Sequence, residues 1–522
     1  MSSRVNRIVL PAPPPATIPP VPSLTLLRYL RRAAALVLTS IGLLSAPAFA
    51  ADAPPRLPVE TFELENGMRF LLLRRPGAPL VTAGWVVRTG SGDEQPGSTG
   101  ISHLLEHLMF HGSRRIGTRF ADREGEIMAR QDEVADRLFT LRAQPASSER
   151  DAEIASLQKR MEKLLADHQP LMMRGEFSRL YREAGAVGTN AVTDRDHTIY
   201  YGQIPANKLE LWFWLESDRL LDPVFREYFN EGRIVEEERR QRMESTPEGL
   251  AVEKLNAAHW EEHPYSWPPL GRTEDFTTLR RSQLEAWFAA NYRPDRMSAV
   301  LVGDFDPEQA KALARAYFGR LPRRETPAPA AEPPAAPART SEKRITERCA
   351  CTPQVRVLYR TPAFGHPDSY ALDVLAGVLN GRTGRLYRSL VLEQGTAFAA
   401  YALHEPGRRG GTFGVVLESK GGAAPAALVP AWDAELERLR REPVSERELQ
   451  KVKNQILTDS WRRLSDPVAL ALRLLTWDAL GDWRFVDRWP EATQAVTAAD
   501  LQRVIAAHFD PKQRTVGVFE RQ

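Results

Sequence analysis

The chain has 522 residues, of which 43% are hydrophobic and 26% are charged. This length exceeds what one hydrophobic core usually serves, and the composition excludes a wholly disordered, fibrous or multi-span membrane protein. The formal net charge is +3, and residues 1–50 contain five Arg but no Lys, Asp or Glu. The rest of the chain therefore carries a net charge of −2, so we expect no nucleic-acid partner.

Residues 1–50 have the pattern of an export signal. Arg28, Arg31 and Arg32 precede an apolar stretch at 33–44, and an Ala-Phe-Ala cleavage pattern ends at residue 50. The apolar stretch is shorter than a membrane-spanning helix needs. We therefore predict a signal peptide at 1–50, no stable membrane span after its cleavage, and a periplasmic or secreted mature protein.

The chain then continues with strands and a charged helical segment. Runs at 61–64, 69–73 and 81–87 are rich in the apolar and β-branched residues that strands prefer. Within about 120–178, apolar residues recur at helical spacing on both sides of a polar break at 144–148. We interpret this segment as an inserted helical hairpin with a structural or partner-facing role and no chemistry.

Two pairs of similar segments indicate an internal duplication. LEAWFAANYRPDRMSAVLV begins at Leu284 and LQRVIAAHFDPKQRTVGVF begins at Leu501, an offset of 217 residues. Val-Arg-Thr at 87–89 resembles Tyr-Arg-Thr at 359–361, an offset of 272 residues. The difference between the offsets, about 55 residues, matches the inserted hairpin in size.

A Pro- and Ala-rich segment at 321–344 has the composition of a stiff, solvated linker between the two copies. We predict one domain at 57–320 and a homologous domain at 345–522. Each copy mixes strands with helices without regular βαβ spacing. The expected fold is therefore α+β, with two duplicated halves that each pack a mainly antiparallel sheet with helices.

The two cysteines of the chain, Cys349 and Cys351, are too few for a disulfide framework or a structural zinc site. The single residue between them leaves little chain for a bridge. We expect two free thiols.

The chemistry is concentrated in the segment ISHLLEHLMFHG at 101–112. His103 and His107 are four residues apart, so on a helix they project from one face and can bind one metal ion. Glu106 lies on a neighbouring line of that face, where it can act as a base toward the attacking water. This His-x-x-Glu-His order is the inverted zincin pattern. His111 lies roughly 12 Å along the axis from His103, so we interpret it as structural or substrate-facing.

A catalytic zinc ion needs a third protein ligand. The segment EGRIVEEERR at 231–240 offers acidic candidates. Glu231 and Glu238 are seven residues apart and share a helical face. Spacing alone does not choose among Glu231, Glu236, Glu237 and Glu238.

The ordered motifs resemble the insulinase/pitrilysin metallopeptidases over about residues 57–520. They are the His-x-x-Glu-His segment, GTNAVT at 188–193, TIYY at 198–201, ESDR at 216–219 and EGRIVEEE at 231–238. The branch that includes mitochondrial processing peptidase and bacterial relatives is the most similar. The resemblance implies that Glu238 is the third zinc ligand and that Glu231 is an acidic residue supporting the catalytic site. It also implies that Asn190 and Ala191 lie on an edge strand that binds extended peptides.

The second half lacks the metal ligands. An alignment of Gly112 with Gly381 places Leu372, Leu375 and Ala376 opposite His103, Glu106 and His107. We therefore expect one Zn²⁺ per chain, in the domain at 57–320, and a non-catalytic domain at 345–522.

The second half also departs from the resembled family. Its members usually carry an Arg and a Tyr seven residues apart that hold the substrate carbonyl, whereas Val391 and Phe398 occupy these positions here. Two alternatives follow. Arg385 or Arg388 substitutes for the pair, or a homologous subunit supplies it. A homodimer is a further possible arrangement.

The expected function is a zinc-dependent endopeptidase acting on peptides or unfolded polypeptides, with Glu106 as general base. A non-proteolytic, chaperone-like member of the same fold is the alternative. A zinc store or metal sensor would not need Glu106.

Overall fold

The computed structural model describes residues 56–276, 278–323, 339–422 and 424–522. The predicted signal peptide at 1–50 and the linker residues 324–338 lie outside the described residues. Two sheets with helices packed on them occupy the described part of the chain, so the predicted α+β fold is confirmed.

The first half contains a six-stranded sheet in the order β1-β2-β6-β3-β5-β4, antiparallel except for the parallel pair β2 and β6. Its strands are β1 (Glu60–Glu63), β2 (Arg69–Arg74), β3 (Leu80–Val87), β4 (Val187–Thr193), β5 (Thr198–Pro205) and β6 (Met297–Gly303). Its helices are α1 (Ile101–Leu108), α2 (Ala121–Arg142), α3 (Ser148–His168), α4 (Glu176–Glu183), α5 (Leu209–Leu221), α6 (Tyr228–Arg239), α7 (Gly249–Trp260), α8 (Thr273–Phe276), α9 (Arg281–Asn291) and α10 (Pro307–Tyr317).

The second half contains a five-stranded sheet in the order β7-β11-β8-β10-β9, in which β7 and β11 are the parallel pair. Its strands are β7 (Lys343–Cys349), β8 (Gln354–Thr361), β9 (Ala397–Gly407), β10 (Gly410–Ser419) and β11 (Thr515–Arg521). Its helices are α11 (Pro367–Leu379), α12 (Leu428–Arg441), α13 (Glu446–Ser465), α14 (Pro467–Leu480), α15 (Phe485–Ala495) and α16 (Ala498–His508).

Strand register relates the two sheets by the offsets seen in the sequence. Val86 of β3 pairs with Ser298 of β6, and Leu358 of β8 pairs with Thr515 of β11. Residues 86 and 358 are 272 apart, and residues 298 and 515 are 217 apart. The same two residue shifts therefore superpose one strand pair on the other, as a duplicated fold requires.

The hydrophobic core of the first half includes a helix from the second half. Leu71, Val86 and Val300 point to the face of the first sheet that is covered by α14, where Leu470 and Leu474 are fully buried. On the same face, buried Asp478 accepts hydrogen bonds from Arg69 at 2.8 Å and Arg88 at 2.9 Å. The linker thus divides the halves in sequence, whereas α14 joins their cores.

We expect Leu474→Ala to lower the free energy of unfolding by about 2–5 kcal/mol, because it leaves a cavity between the first sheet and α14. Urea denaturation measures the change. Leu392→Ala is the matched control, since Leu392 is 63% exposed. Equal losses for the two variants would contradict this packing.

The inserted segment forms an antiparallel pair of helices, α2 and α3. Val134, Leu138 and Leu164 are buried between them, and the Ser147 hydroxyl accepts a hydrogen bond from the Arg150 amide at the start of α3. The hairpin is tied to the first half by a buried ion pair, in which the Arg226 side chain donates to Glu124 at 2.9 Å.

The expectation of two free thiols is wrong. Cys349 and Cys351 form a disulfide, with Cα atoms 5.1 Å apart, a distance that disulfides commonly span. Cys349 ends β7 and the chain bends at residue 350, which turns both side chains toward Leu255 and Phe519 in one small buried cluster. The bend compensates for the short separation in sequence.

Among the described residues, no helix combines the length and the apolar character that crossing a membrane requires.

Candidate metal centre

Helix α1 is held at its start by a buried carboxyl group. Glu94 accepts hydrogen bonds from the amides of Gly100 at 2.8 Å and Ser102 at 2.9 Å, which otherwise lack partners at a helix N-terminus. Gly100 has φ +88°, and a Cβ there would lie only 2.6 Å from the Phe276 ring and 3.1 Å from Gly271. The sequence alone gives no signal for the role of Glu94, which depends on the loop geometry before α1.

Helices α1 and α6 bring three potential ligands together. The Nε2 atoms of His103 and His107 lie 3.8 Å and 3.3 Å from one oxygen of Glu238. One ligand atom from each residue lies within 4.8 Å of the other two. Ligands about 2.0–2.2 Å from a tetrahedral ion are themselves roughly 3.3–3.6 Å apart. The His107–Glu238 distance falls in this range and the His103–Glu238 distance lies slightly above it, so the three side chains have the donor atoms and the approximate spacing to hold a zinc ion.

The electrostatic environment keeps His103 neutral. Burial, followed by the nearby His107 and Arg242, lowers the pKa of His103 to about 3. A neutral imidazole offers a lone pair, and this is the form that binds a metal ion. His103 is therefore prepared for ligation across the neutral pH range.

Glu231 contacts His107 and does not lie among the three potential ligands. Its carboxylate lies 3.1 Å from Nδ1 of His107, so that Nδ1 carries the hydrogen and Nε2 faces Glu238. Burial opposes charge on Glu231, but its contacts with His107 and His111 lower its pKa to about 2. A carboxylate that is hydrogen-bonded to the ring nitrogen facing away from the metal fixes the orientation of the histidine ring and makes the other nitrogen a stronger ligand.

His111 extends this chain of contacts away from the three ligands. Its Nε2 lies 2.9 Å from Glu231 and its Nδ1 lies 3.3 Å from Glu227. Burial opposes charge on His111, yet the two carboxylates raise its pKa to about 9. Of the two interpretations left open by the sequence, these contacts favour the structural one. Glu227, which also pairs with Arg174 at 2.8 Å, had no sequence signal.

Glu106, the expected base, is held by the edge strand. Thr193 of β4 donates a hydrogen bond of 2.5 Å to Glu106, whose side chain is largely buried. Burial raises the pKa of Glu106, and the Thr193 hydrogen bond partly offsets this effect. Thr193 lies within the GTNAVT motif, but the sequence did not indicate its contact with Glu106.

Arg242 holds the second oxygen of Glu238. Its guanidinium lies 2.8 Å from Oε1, while Oε2 faces the two histidines. The two residues are four apart in a stretch that continues α6 as a short π-helix, Arg240–Glu244. Helical spacing could have revealed this pair. Glu236 and Glu237 are exposed, and Glu237 instead pairs with Arg240.

Asn190 and Ala191 lie on β4, at the edge of the first sheet. Asn190 is exposed and Ala191 is 9% exposed. Among the described residues, β5 is the sole strand paired with β4, so the other side of β4 can accept an extended peptide.

The second-half positions that relate to the Arg and Tyr pair of the family, Arg385, Val391 and Phe398, have three different environments. Arg385 donates to Glu448 at 3.0 and 3.1 Å, so its guanidinium is engaged within the second half. Val391 packs against the second core, and Phe398 on β9 is 68% exposed. At the positions that align with His103, Glu106 and His107, α11 carries the buried apolar side chains of Leu372, Leu375 and Ala376.

Comparison with known proteins assigns the family. The sequence model described as "Insulinase (Peptidase family M16)" matches residues 69–128, and that described as "Peptidase M16 inactive domain" matches residues 278–456. The chain belongs to the insulinase/pitrilysin family of peptidases. The match named for an inactive domain includes α11, where apolar residues replace the zinc motif.

Several M16 relatives are similar along much of the chain. "Zinc protease PqqE" of Helicobacter pylori is 22% identical over 466 residues, covering 87% of this chain and 91% of that protein. "Mitochondrial-processing peptidase subunit beta" of Blastocladiella emersonii is 24% identical over 265 residues, covering 50% of this chain and 44% of that protein.

Solved structures share the fold. A protease from Helicobacter pylori has a TM-score of 0.73 at 21% identity and covers 89% of this chain and 100% of its own. The periplasmic protease PqqL from Escherichia coli has a TM-score of 0.65 at 17% identity and covers 90% of this chain and 48% of its own.

Proposed function

We propose that this chain is a zinc-dependent endopeptidase that hydrolyses peptides or unfolded polypeptides. The observation that carries the proposal is the convergence of His103, His107 and Glu238. Glu106 is buried on α1, the helix that carries the two histidines. Zinc bound by these three residues would polarise the scissile carbonyl and lower the pKa of the attacking water.

Side chains of this protein carry out the proton transfers of the proposed hydrolysis. Glu106 accepts the proton of the attacking water and then delivers it to the leaving amine. Thr193 holds Glu106 in place through its 2.5 Å hydrogen bond. Because Thr193 is part of β4, a peptide that pairs with this edge is aligned with the base.

Asn190 and Ala191 are the proposed contacts of the substrate backbone. An extended peptide added to β4 would form main-chain hydrogen bonds that do not depend on its sequence. Val187 and Val192 are 54% and 45% exposed on the same strand and can contact apolar side chains of the peptide. This arrangement suits unstructured polypeptides.

The proposed location is the periplasm or the exterior of the cell. The Arg-rich, apolar, Ala-Phe-Ala pattern within residues 1–50 supports export. The disulfide between Cys349 and Cys351 is also typical of an oxidising compartment.

A peptidase assay with and without a metal chelator tests the function. We expect cleavage of an unstructured polypeptide to stop with chelator and to return when zinc is added. A non-proteolytic, chaperone-like protein would instead suppress aggregation of an unfolded client without cleaving it, in either condition.

We further predict that the chain cleaves weakly alone and more strongly with a homologous subunit. Val391 and Phe398 offer no side-chain donor for the developing oxyanion, and the Arg385 guanidinium is paired with Glu448. Loss of one such donor costs roughly 10²–10³ in rate. Steady-state kinetics should show that a partner carrying the Arg and Tyr raises kcat more than it lowers KM.

A monomeric preparation with full activity would contradict the shared-subunit proposal. Arg385 and Arg388 would then become the proposed carbonyl contacts, and Arg385→Ala and Arg388→Ala would identify which one acts. A homodimer in which activity follows the dimer population would replace the homologous subunit with a second copy.

A further inference from the structure

A cavity of about 620 Å³ lies between the inserted hairpin and α6, the helix that carries Glu238. Residues of α2, α3 and α6 form its walls, together with Leu104 of α1. We call this space the hairpin cavity. Its volume falls within the range of ligand-binding sites, and nothing in the proposed mechanism uses it.

The hairpin cavity is lined by large apolar side chains and opened by a glycine. Phe139 and Met161 of the hairpin line the space together with Phe229 of α6 and Leu279. Gly232 adds to the opening, since a Cβ at this position would meet no atom within 4 Å. The cavity is thus suited to bulky apolar groups.

The rim of the hairpin cavity carries charges of both signs. Arg142, Arg233, Glu162 and Glu236 line it without an ion-pair partner within 4 Å among the described residues. Asp132 with Arg281 and Asp136 with Arg280 line it as ion pairs. The two unpaired arginines and two unpaired glutamates balance in charge, so the lining favours neither a purely anionic nor a purely cationic ligand. A polypeptide segment that carries apolar side chains and charges of both signs complements this rim.

The hairpin cavity shares a lining residue on α6 with a groove that includes Glu238. This groove is more open and is lined by Arg233, Ile234 and Glu238. Arg233 lines both spaces, and Ile234 is 43% exposed. The cavity and the groove that includes Glu238 therefore lie side by side at Arg233.

We propose that the hairpin cavity is a second peptide-binding site that takes bulky apolar side chains of the substrate, remote from the bond that is cleaved. The identity of the occupant rests on the proposed peptidase function. The inserted hairpin, which the sequence indicated to be only structural or partner-facing, would then contribute to substrate selection.

Binding without cleavage tests this site. The probe is a fluorescein-labelled peptide of about 12 residues, which spans roughly 40 Å when extended and carries Phe and Leu near one end. A second peptide has Ser at those two positions. Anisotropy is measured with the full chain carrying Glu106→Gln, so that the readout does not depend on turnover.

Two variants alter the cavity in opposite ways. Phe139→Ser removes an apolar wall, and Ala135→Trp fills the space from α2. We expect each to weaken binding of the apolar peptide about tenfold and to leave binding of the serine peptide unchanged. Phe120→Ser is the matched control, because Phe120 is 54% exposed on the same insertion and does not line the cavity.

Unchanged affinity in both cavity variants, with native far-UV circular dichroism, would overturn the proposal. Equal affinity of the unaltered cavity for the two peptides would also overturn it. If the variants change only the oligomeric state measured by light scattering, the occupant is a second copy and the proposal is wrong. Peptide binding that depends on Phe139 in a protein without peptidase activity would refute the proposed function and leave the site intact.

Discussion

Glu106→Gln is expected to retain zinc and lower kcat by at least about 10²–10⁴, the range typical for loss of a general base. The amide keeps the size of the side chain and can still accept the hydrogen bond of Thr193, but it cannot take a proton from water. His103, His107 and Glu238 are unchanged, so metal content stays at one zinc per chain. Metal analysis and steady-state kinetics on one preparation measure both quantities.

Glu244→Gln is the control for this experiment. It makes the same chemical change on an exposed side chain of the π-helix that continues α6, outside the three converging residues and outside the hairpin cavity. We expect wild-type zinc content and kcat. Turnover within a few-fold of wild type in Glu106→Gln, with zinc stoichiometric, would show that Glu106 is not the base.

The hydrogen bond from Thr193 shows that the position of Glu106, the proposed base, depends on more than the His-x-x-Glu-His motif. The sequence places Glu106 on a helical face with His103 and His107, which follows from helical periodicity within a few residues. Its hydrogen bond to Thr193 joins positions 87 residues apart. Local periodicity carries no information about such a contact, so this part of the site required the structure.

The duplication was predictable because it rests on repeated patterns. Two short matches gave residue shifts that also relate the strand pairs of the two sheets. The packing of α14 on the first sheet was not predictable. The apolar residues of a helix indicate that one face is buried, but they do not identify the element that packs against it. The cysteine expectation failed for a related reason, since the bend at residue 350 is not evident from the spacing.

The acidic run in α6 marks the limit of spacing arguments. Four glutamates at 231, 236, 237 and 238 were open as ligands, and the family resemblance singled out Glu238. In the structure, Glu231 contacts His107 and His111, whereas Glu238 faces both histidines of the zinc motif. Because Glu231 and Glu238 share a helical face, the sequence made both of them candidate zinc ligands. Their different contacts in the structure distinguish the two.

Glu238→Ala is expected to weaken zinc binding by more than about 100-fold, because two protein ligands remain where a catalytic site uses three. The loss should exceed the roughly 10–100-fold expected for Glu231→Ala, which removes the partner of His107 but no ligand. Competition with a chelator of known affinity measures both values. Activity should follow zinc occupancy in each variant.

Glu237→Ala is the matched control, since it removes the adjacent carboxylate from the same helix. Glu237 is exposed and its oxygens accept hydrogen bonds from Arg240 and Gln241, so its loss leaves the ligands in place. We expect wild-type zinc affinity for this variant. If zinc is lost in Glu237→Ala but kept in Glu238→Ala, the side chains of α6 are rotated relative to the arrangement described, and the third ligand is Glu237.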